Sequence, residues 1–148
     1  MALWKVQLGD DALRLPRPAT LLAQTPTPRP LYVVSGGAIR VLSIMGKVTT
    51  AVQAQANATK IQAKATGQTA VDMCATGEIN GLAVGQVVGI TGVAATALQL
   101  GWAIVGQTTP WIVVPGTIDM NCAAASTGAM SWVLRWLPLD PGAAVALA

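Results

Sequence analysis

The feature that most constrains this chain is a series of short apolar runs that are separated by glycine, proline or asparagine. The runs are rich in valine, isoleucine, leucine and tryptophan, as in LYVVS, AIRVLSIM, QVVGIT, WAIVG, WIVVP and AMSWVLRWL. β-branched and aromatic residues favour strands, whereas a glycine in a helix interior costs up to about 1 kcal/mol. Short strands with turn residues between them predict an all-β protein of the β-sandwich type. The length of 148 residues predicts one domain of this kind.

The clearest strand pattern lies near the end of the sequence, in AMSWVLRWL. Met130, Trp132, Leu134 and Trp136 occupy alternate positions, which places them on one face of a strand. Because no acid or histidine accompanies the two tryptophans, we interpret this face as packing, with a sugar-binding groove as the alternative. Arg135 lies on the opposite face and is predicted to pair with an acid or to reach a neighbouring subunit. The PLDPG turn that follows predicts a closing hairpin with a short last strand.

A second hairpin is predicted by the glycine pair between the first two apolar runs. Gly36 and Gly37 separate LYVVS from AIRVLSIM, and such a pair between two strand-like runs is a hairpin signal. In the second run, Ile39, Val41 and Ser43 are predicted to share one face. The later stretch TKIQAKAT alternates lysine or glutamine with apolar residues, which predicts a half-exposed strand suited to a sheet edge.

The first thirty residues differ from the rest, because RLPRPATLLAQTPTPRP holds five prolines in seventeen residues. Proline fixes φ and removes a backbone donor, so a regular helix or a central strand is excluded here. We predict an extended, polyproline-like arm over residues 1–30, followed by the sandwich domain over residues 31–148. The apolar residues of the arm favour contact with a neighbouring subunit over a disordered tail. The candidate partner-binding residues are Trp4, Arg14, Arg17 and Arg29.

The residue types that most enzymes use are absent or isolated in this chain. Histidine, the commonest general base, is missing, and no GxSxG, P-loop or GxGxxG motif occurs. The acids Asp72, Glu78, Asp119 and Asp140 stand apart in the sequence, although folding could pair Asp72 with Asp119. We therefore predict no catalytic residues, no enzymatic activity and no cofactor.

The two cysteines, Cys74 and Cys122, lack the spacing of a metal site. They are predicted to be buried, reduced thiols, and a single disulfide between them is the alternative. The stretches that contain them, AVDMCATG and TIDMNCAAASTG, resemble each other in the order of a β-branched residue, aspartate, methionine and cysteine. This similarity could arise from two structurally equivalent strands or by coincidence.

The forty uncharged residues between Glu78 and Asp119 raise the hypothesis of a membrane span. Leu82–Gly106 is long enough to cross a bilayer, and the glycines around its start have the GxxxG spacing of packed transmembrane helices. No lysine or arginine lies near either end, however, and further glycines divide the segment into short pieces. We therefore favour short strands and expect no membrane partner, with a small membrane protein as an alternative.

Charge is sparse and unevenly distributed along the chain. Only 10% of the residues are charged, which suits a surface that is largely covered by partners. Most basic residues precede residue 65 and most acidic residues follow it, a distribution that suits head-to-tail or partner contacts. The basic residues are too dilute for a nucleic-acid site, which needs clustered lysine and arginine together with aromatic residues or a reading helix.

Two long stretches, LYVVSGGAIRVLSIMGKVTT and PGTIDMNCAAASTGAMSWVLRWLPLDPGAAV, resemble the capsid cement, or decoration, proteins of tailed bacteriophages. The resemblance covers about residues 31–145 and is one of pattern, namely the GG turn, the PGTI strand entry, the STG turn and the closing WVLRWLPLDPGA. It implies a jelly-roll-like β-sandwich that forms homodimers or homotrimers on the outside of an icosahedral shell and bridges major capsid subunits.

The partners that this resemblance implies are the major capsid protein and further copies of the chain, with no nucleic acid and no membrane. The implied location is the capsid surface of the virion, after synthesis in the host cytoplasm. The alternative within the same class is another phage virion component, such as a tail or head–tail connector subunit. No binding residue is implied, because contacts of this kind are surface patches.

Overall fold

The computed structural model describes residues 12–22 and 28–148, and within them it contains twelve strands and no helix. The strands are β1 (Leu13–Leu21), β2 (Arg29–Ser35), β3 (Ile39–Thr50), β4 (Ala58–Ala65), β5 (Val71–Asp72), β6 (Gly77–Glu78), β7 (Val87–Gly89), β8 (Gln99–Gly101), β9 (Trp111–Val113), β10 (Gly116–Cys122), β11 (Ala129–Pro138) and β12 (Ala144–Leu147). The all-β prediction is confirmed.

The strands form two six-stranded sheets in which the paired strands run antiparallel. In the first sheet the order is β1-β11-β3-β7-β8, and β9 also pairs with β3. In the second sheet the order is β12-β2-β10-β4-β5, and β6 also pairs with β4. The centre of each sheet is built from strands that are distant in sequence, since β11 lies between β1 and β3, and β10 lies between β2 and β4.

One hydrophobic core is shared by the two sheets. The first sheet contributes the predicted face of β11, because Met130, Trp132, Leu134 and Trp136 are each at most 6% exposed. The second sheet contributes buried side chains from its own strands, including Leu31, Tyr32, Val34, Ile61, Ile118 and Met120. Removal of this apolar surface from water is the main driving force for folding, at about 25 cal/mol per Å². The packing interpretation of the two tryptophans is confirmed.

Strand β3 departs from the predicted alternation because it contains a β-bulge. Ile39 and Val41 share the buried face, but the next buried residue is Ile44 and not Ser43. The register with β11 shifts at this point, since Trp136 pairs with Val41 while Arg135 pairs with Ser43. A bulge inserts one extra residue into one strand, so the side chains beyond it change face.

Both predicted hairpins are connections between the two sheets. The strands on either side of Gly36–Gly37, β2 and β3, belong to different sheets, and so do β11 and β12 on either side of PLDPG. The two turns pack against each other, since the Ala38 N–H donates to Asp140 Oδ2 at 2.7 Å. A Cβ atom on Gly36 would lie 2.2 Å from the Gly142 carbonyl oxygen. The hairpin predictions are wrong, because turn residues specify a change of direction and not the sheet that the next strand joins.

The described part of the predicted N-terminal arm is built into the sheets of its own chain. Leu13–Leu21 form β1, which pairs with β11 at the edge of the first sheet, and Arg29 begins β2. Pro16 and Pro18 are two residues apart, so their missing N–H groups fall on the same side of the strand, and a free edge needs no donor there. The segment is extended as predicted, but it is not separate from the sheets. The rest of the predicted arm lies outside the described residues.

The segment that raised the membrane hypothesis, Leu82–Gly106, contains the short strands β7 and β8 with turns around them. Within the residues that the structure describes, no helix has the length and apolar character needed to cross a membrane. The prediction that glycine divides this segment into short strands is confirmed.

Candidate interaction surface

The charged residues in the strands of the first sheet are all basic. They are Arg14, Arg17, Arg40, Lys47 and Arg135. The strands of the second sheet contain both basic and acidic residues. The basic residues are Arg29, Lys60 and Lys64, and the acidic residues are Asp72, Glu78 and Asp119. The division between the sheets differs from the head-to-tail division in the sequence, because β11 brings Arg135 beside the N-terminal strand.

Arg14 and Arg135 lie directly opposite each other on β1 and β11, and both are exposed. Directly opposed residues of an antiparallel pair have Cβ atoms about 4.5–5.5 Å apart, and like charges in this arrangement repel. The other strand neighbour of Arg135 is Ser43, which carries no compensating charge. Among the described residues the one ion pair joins Lys60 to Asp72 in the second sheet. Within the part of the chain that the structure describes, no acid pairs with Arg135, and contact with a neighbouring molecule stays a prediction.

Two adjoining cavities lie along the outer face of the first sheet. The larger has a volume of about 460 Å³ and the smaller about 280 Å³. They share lining residues on β1, β3 and β11, so they form one depression. We call this depression the basic groove and define it by Arg14, Ser43, Met45, Lys47, Val133 and Arg135.

The basic groove has positive charge at both ends and an apolar centre. Arg135 and its neighbour Arg14 lie at one end. Lys47 lies at the other end, where it pairs with Ser131, four residues along β11 from Arg135 and therefore about 13 Å away at the usual rise per residue. Between the two ends, Val133 pairs with the exposed Met45 on β3. The arrangement can hold an elongated molecule that carries two separated negative charges.

Arg17, another predicted partner-binding residue, makes bonds within the chain. Its Nη1 atom donates to the backbone oxygen atoms of Leu31 and Ala148, at 2.8 Å each. Its Nε atom donates to Thr20 Oγ1 at 3.0 Å. Because Leu31 belongs to β2, these bonds tie the edge strand of the first sheet to the second sheet.

Tyr32 provides a second link between the sheets at this edge. Its hydroxyl donates to the Leu15 carbonyl oxygen at 3.1 Å, and its ring is buried. Burial raises the pKa of Tyr32 to about 12, and the positive charge of Arg17 opposes this rise. The phenol therefore stays neutral and remains a donor through the physiological range of pH.

Of the other two predicted partner-binding residues, the structure describes Arg29, which does not join the basic groove. Arg29 is half-buried at the start of β2 in the second sheet, where it pairs with Met120. Trp4 lies outside the described residues. Of the four candidates, Arg14 and Arg17 line the groove, but the guanidinium of Arg17 is bonded within the chain, and Lys47 was missed. The outward alternation of Lys47 on β3 is the signal that could have indicated it, but the bulge in this strand hides the alternation.

Asp72 and Asp119 of the second sheet are not on adjacent strands, because β4 lies between them. Asp72 on β5 and Asp119 on β10 each pair with Gln62, on opposite sides of β4. Asp72 accepts hydrogen bonds from Gln62 Nε2 at 2.7 Å and from Lys60 Nζ at 2.9 Å. These bonds, that from Gln62 first, lower the pKa of Asp72. The similarity between the two aspartate-containing stretches has a structural counterpart, because they supply the two strands that flank β4.

The cysteines are buried, and no disulfide joins them. The prediction of reduced thiols is confirmed, and the disulfide alternative is wrong. The Ile61 N–H donates to Cys74 Sγ at 3.3 Å, and burial raises the pKa of the Cys74 thiol. Within residues 12–22 and 28–148, no cluster of three histidine, cysteine, aspartate or glutamate residues is arranged to hold a metal ion.

An apolar patch lies beside the basic groove. Trp102, in the loop after β8, is 71% exposed, and a Cβ atom on Gly85 would lie 3.3 Å from its ring. Val84 and Val105 are also exposed, and Val105 lines the larger cavity of the groove. An exposed tryptophan beside apolar side chains is typical of a protein contact surface. The sequence did not distinguish Trp102 from the core tryptophans, because all of them lie in apolar runs.

Comparisons with protein-family models, with curated protein sequences and with solved structures gave no match. The function of the chain is therefore inferred from its own fold and surface.

Proposed function

We propose that this chain is a virion structural protein of a tailed bacteriophage, which binds the outside of an icosahedral capsid, bridges major capsid subunits and stabilises the shell. The observation that carries the proposal is the exposed apolar patch around Trp102 together with the adjoining basic groove. The proposal includes jelly-roll-like connectivity of the sandwich, a proline-rich N-terminal segment that contacts a neighbour, and assembly as a homodimer or homotrimer.

The composition of the surface supports this role. Only 10% of the residues are charged, and apolar side chains as large as Trp102 are exposed. A surface of this kind is typical of a protein that is permanently bound to partners. On a symmetric shell, many weak contacts of this kind add through avidity, so no single contact has to be strong.

The links between the sheets support the mechanical part of the role. Arg17 bonds to backbone oxygen atoms of two other segments, and Tyr32 bonds to β1, so the edge of the first sheet is held to the second. A pre-organised block loses little conformational freedom when it binds. It can therefore bridge two capsid subunits with little change in its own conformation.

The test uses the full-length protein and particles of the encoding virus that were produced without it. We expect the added protein to sediment with the particles, to give density on the outer surface of the shell, and to raise the temperature at which the particles release DNA. Density at the tail or the head–tail connector would replace the proposal by its alternative. Absence of any association with particles would overturn both.

A matched pair of variants tests the contact surface in the same assay. Trp102→Ala should weaken the apparent affinity for the particle at least tenfold and so lower its occupancy. Tryptophans at protein contacts are frequent hot spots, and their truncation costs about 2 kcal/mol or more of binding free energy. Val114→Ala removes an exposed apolar side chain from the residue that follows β9 and should leave occupancy unchanged. An equal loss in the two variants would mean that the patch around Trp102 is not the contact.

A further inference from the structure

We propose that the basic groove binds an extended, acidic segment of a partner protein, with two acidic side chains four residues apart and an apolar side chain midway between them. The segment lies along β11 on the outer face of the first sheet. One carboxylate contacts the pair Arg14 and Arg135, and the other contacts Lys47.

The positive charges of Arg14 and Arg135 at one end of the groove are not balanced by an acid in the same sheet. Arg14 and Arg135 face each other across β1 and β11, and no acid in the strands of the first sheet offsets their repulsion. A carboxylate placed between two guanidinium groups replaces one repulsion by two charge-assisted contacts, for which arginine has a suitable planar geometry. The groove is therefore complementary to an anionic group at this end.

The spacing of the charges along the groove fits an extended polypeptide. Ser131, Val133 and Arg135 alternate along the outer face of β11, and Ser131 brings Lys47 to the far end. An extended segment has the same rise per residue and the same alternation as the strand beneath it. Two carboxylates at positions i and i+4 therefore match Arg135 and Lys47, and the side chain at i+2 lies over Val133 and Met45.

The distribution of charge in the groove fits a polypeptide better than a nucleic acid. A nucleic-acid strand carries a phosphate at every nucleotide and is bound by a continuous basic track with aromatic stacking platforms. In the groove, Arg14, Arg135 and Lys47 lie at the ends, and the centre is formed by Val133 and Met45. Arg17 also lines the smaller cavity, but its guanidinium is bonded within the chain. An apolar centre of this kind contacts a side chain of a peptide and offers no stacking face to a base.

The groove lies on the face of the sheet and not at its edge. Recognition therefore depends on side chains, in contrast to the addition of a strand through backbone hydrogen bonds. The inference goes beyond the virion role and does not depend on it, because binding can be measured without any particle. If both are correct, the acidic segment belongs to the capsid.

The experiment measures fluorescence anisotropy of a labelled peptide that contains Glu-Thr-Val-Thr-Glu, mixed with the full-length protein. We expect saturable binding that weakens as salt is added, because the ion pairs are solvent-exposed. A peptide with glutamine in place of both glutamates, and an isomer with the two glutamates adjacent, should each bind at least about tenfold more weakly. Equal binding of the glutamine peptide or of the isomer would overturn the proposal.

Variants of the protein locate the binding. Arg135→Gln and Lys47→Gln should each weaken binding of the glutamate peptide about tenfold, the usual effect of losing one charge-assisted contact. Lys64→Gln removes an exposed lysine from the second sheet and serves as the matched control, with no change expected. Denaturant unfolding of each variant confirms that it is folded. Loss of binding in Lys64→Gln as large as in Arg135→Gln would overturn the assignment to the groove.

Two further probes test the class of the occupant. A duplex DNA oligonucleotide that bound more tightly than the glutamate peptide, and lost affinity in Arg135→Gln, would overturn the peptide proposal in favour of nucleic acid. A synthetic peptide of residues 1–11, which contains Asp10 and Asp11, tests a second copy of the chain as the source. Its tighter, groove-dependent binding would overturn the assignment to a different partner.

Discussion

The two sheets share one core but use their charges differently. In the second sheet, Lys60 and Gln62 both donate hydrogen bonds to Asp72, so the charges of this face contribute to its own structure. In the first sheet, Arg14 and Arg135 oppose each other and no acid lies in its strands. The charges of the second sheet are therefore used within the fold, whereas those of Arg14 and Arg135 have no acidic partner among the described residues, which is why we propose the outer face of the first sheet as a binding surface.

The largest expected effect separates the inner face of the first sheet from its outer face. Trp132→Ala should lower the free energy of unfolding by about 3–5 kcal/mol, because it removes a side chain that is 3% exposed and leaves a cavity. Ser131→Ala, on the outer face of the same strand, should change it by less than about 0.5 kcal/mol. Denaturant unfolding followed by circular dichroism measures both. Similar values for the two variants would contradict the division between the faces.

The next effect concerns the turns that pass between the sheets. Gly36 and Gly67 have nearly the same φ, +75° and +74°, but only Gly36 meets another backbone. Gly67→Ala should cost about 1 kcal/mol through its positive φ alone. Gly36→Ala should cost about 3 kcal/mol, since the Gly142 carbonyl must also move. Equal losses in thermal or denaturant unfolding would mean that the contact between the two turns does not stabilise the fold.

A smaller effect tests the internal pairing of the second sheet. Asp72→Asn should lower the free energy of unfolding by about 0.5–1 kcal/mol at neutral pH, the range of an exposed ion pair with a hydrogen bond. Because the folded-state pKa of Asp72 is lowered, the contribution is complete above the ordinary aspartate pKa of about 4 and is lost as the pH falls through the lowered value. Unfolding curves at neutral and acidic pH measure the difference. An unchanged difference at acidic pH would contradict the linkage.

The smallest expected effect is a gain in stability and concerns the arginine pair of the first sheet. Arg135→Gln should raise the free energy of unfolding by a few tenths of a kcal/mol at low salt, because it removes the repulsion with Arg14. High salt should abolish the gain through screening. Lys60→Gln, in the second sheet, should instead lower stability at low salt. Destabilisation by Arg135→Gln at low salt would indicate a compensating acid near the groove.

The sequence predicts the all-β class and the core face of β11, because both follow from local alternation and turn residues. Met130, Trp132, Leu134 and Trp136 need only the two-residue period of a strand to be placed on one side. The order of strands does not follow in this way. Gly36–Gly37 marks a turn whether the next strand stays in the same sheet or enters the other one.

The basic groove could not be predicted from local pattern, because it depends on pairings between distant segments. Arg14 and Arg135 become neighbours only when β1 pairs with β11, and the prolines of β1 favoured an arm over an edge strand. The bulge that places Ile44 in the core at the expense of Ser43 likewise depends on the register with β11. Pairing of this kind is decided by the global packing of apolar faces and not by the residues on either side of a turn.

The most direct test of the division between the sheets is chemical labelling of arginine side chains with a dicarbonyl reagent, followed by mass spectrometry. In the free, full-length protein, Arg14 and Arg135 should react faster than Arg17, whose guanidinium donates to two backbone oxygen atoms. With the Glu-Thr-Val-Thr-Glu peptide bound, labelling of Arg14 and Arg135 should slow several-fold, and labelling of Arg29 in the second sheet should not change. Unchanged labelling of Arg14 and Arg135, or equal slowing of Arg29, would contradict the assignment of the first sheet as the binding face.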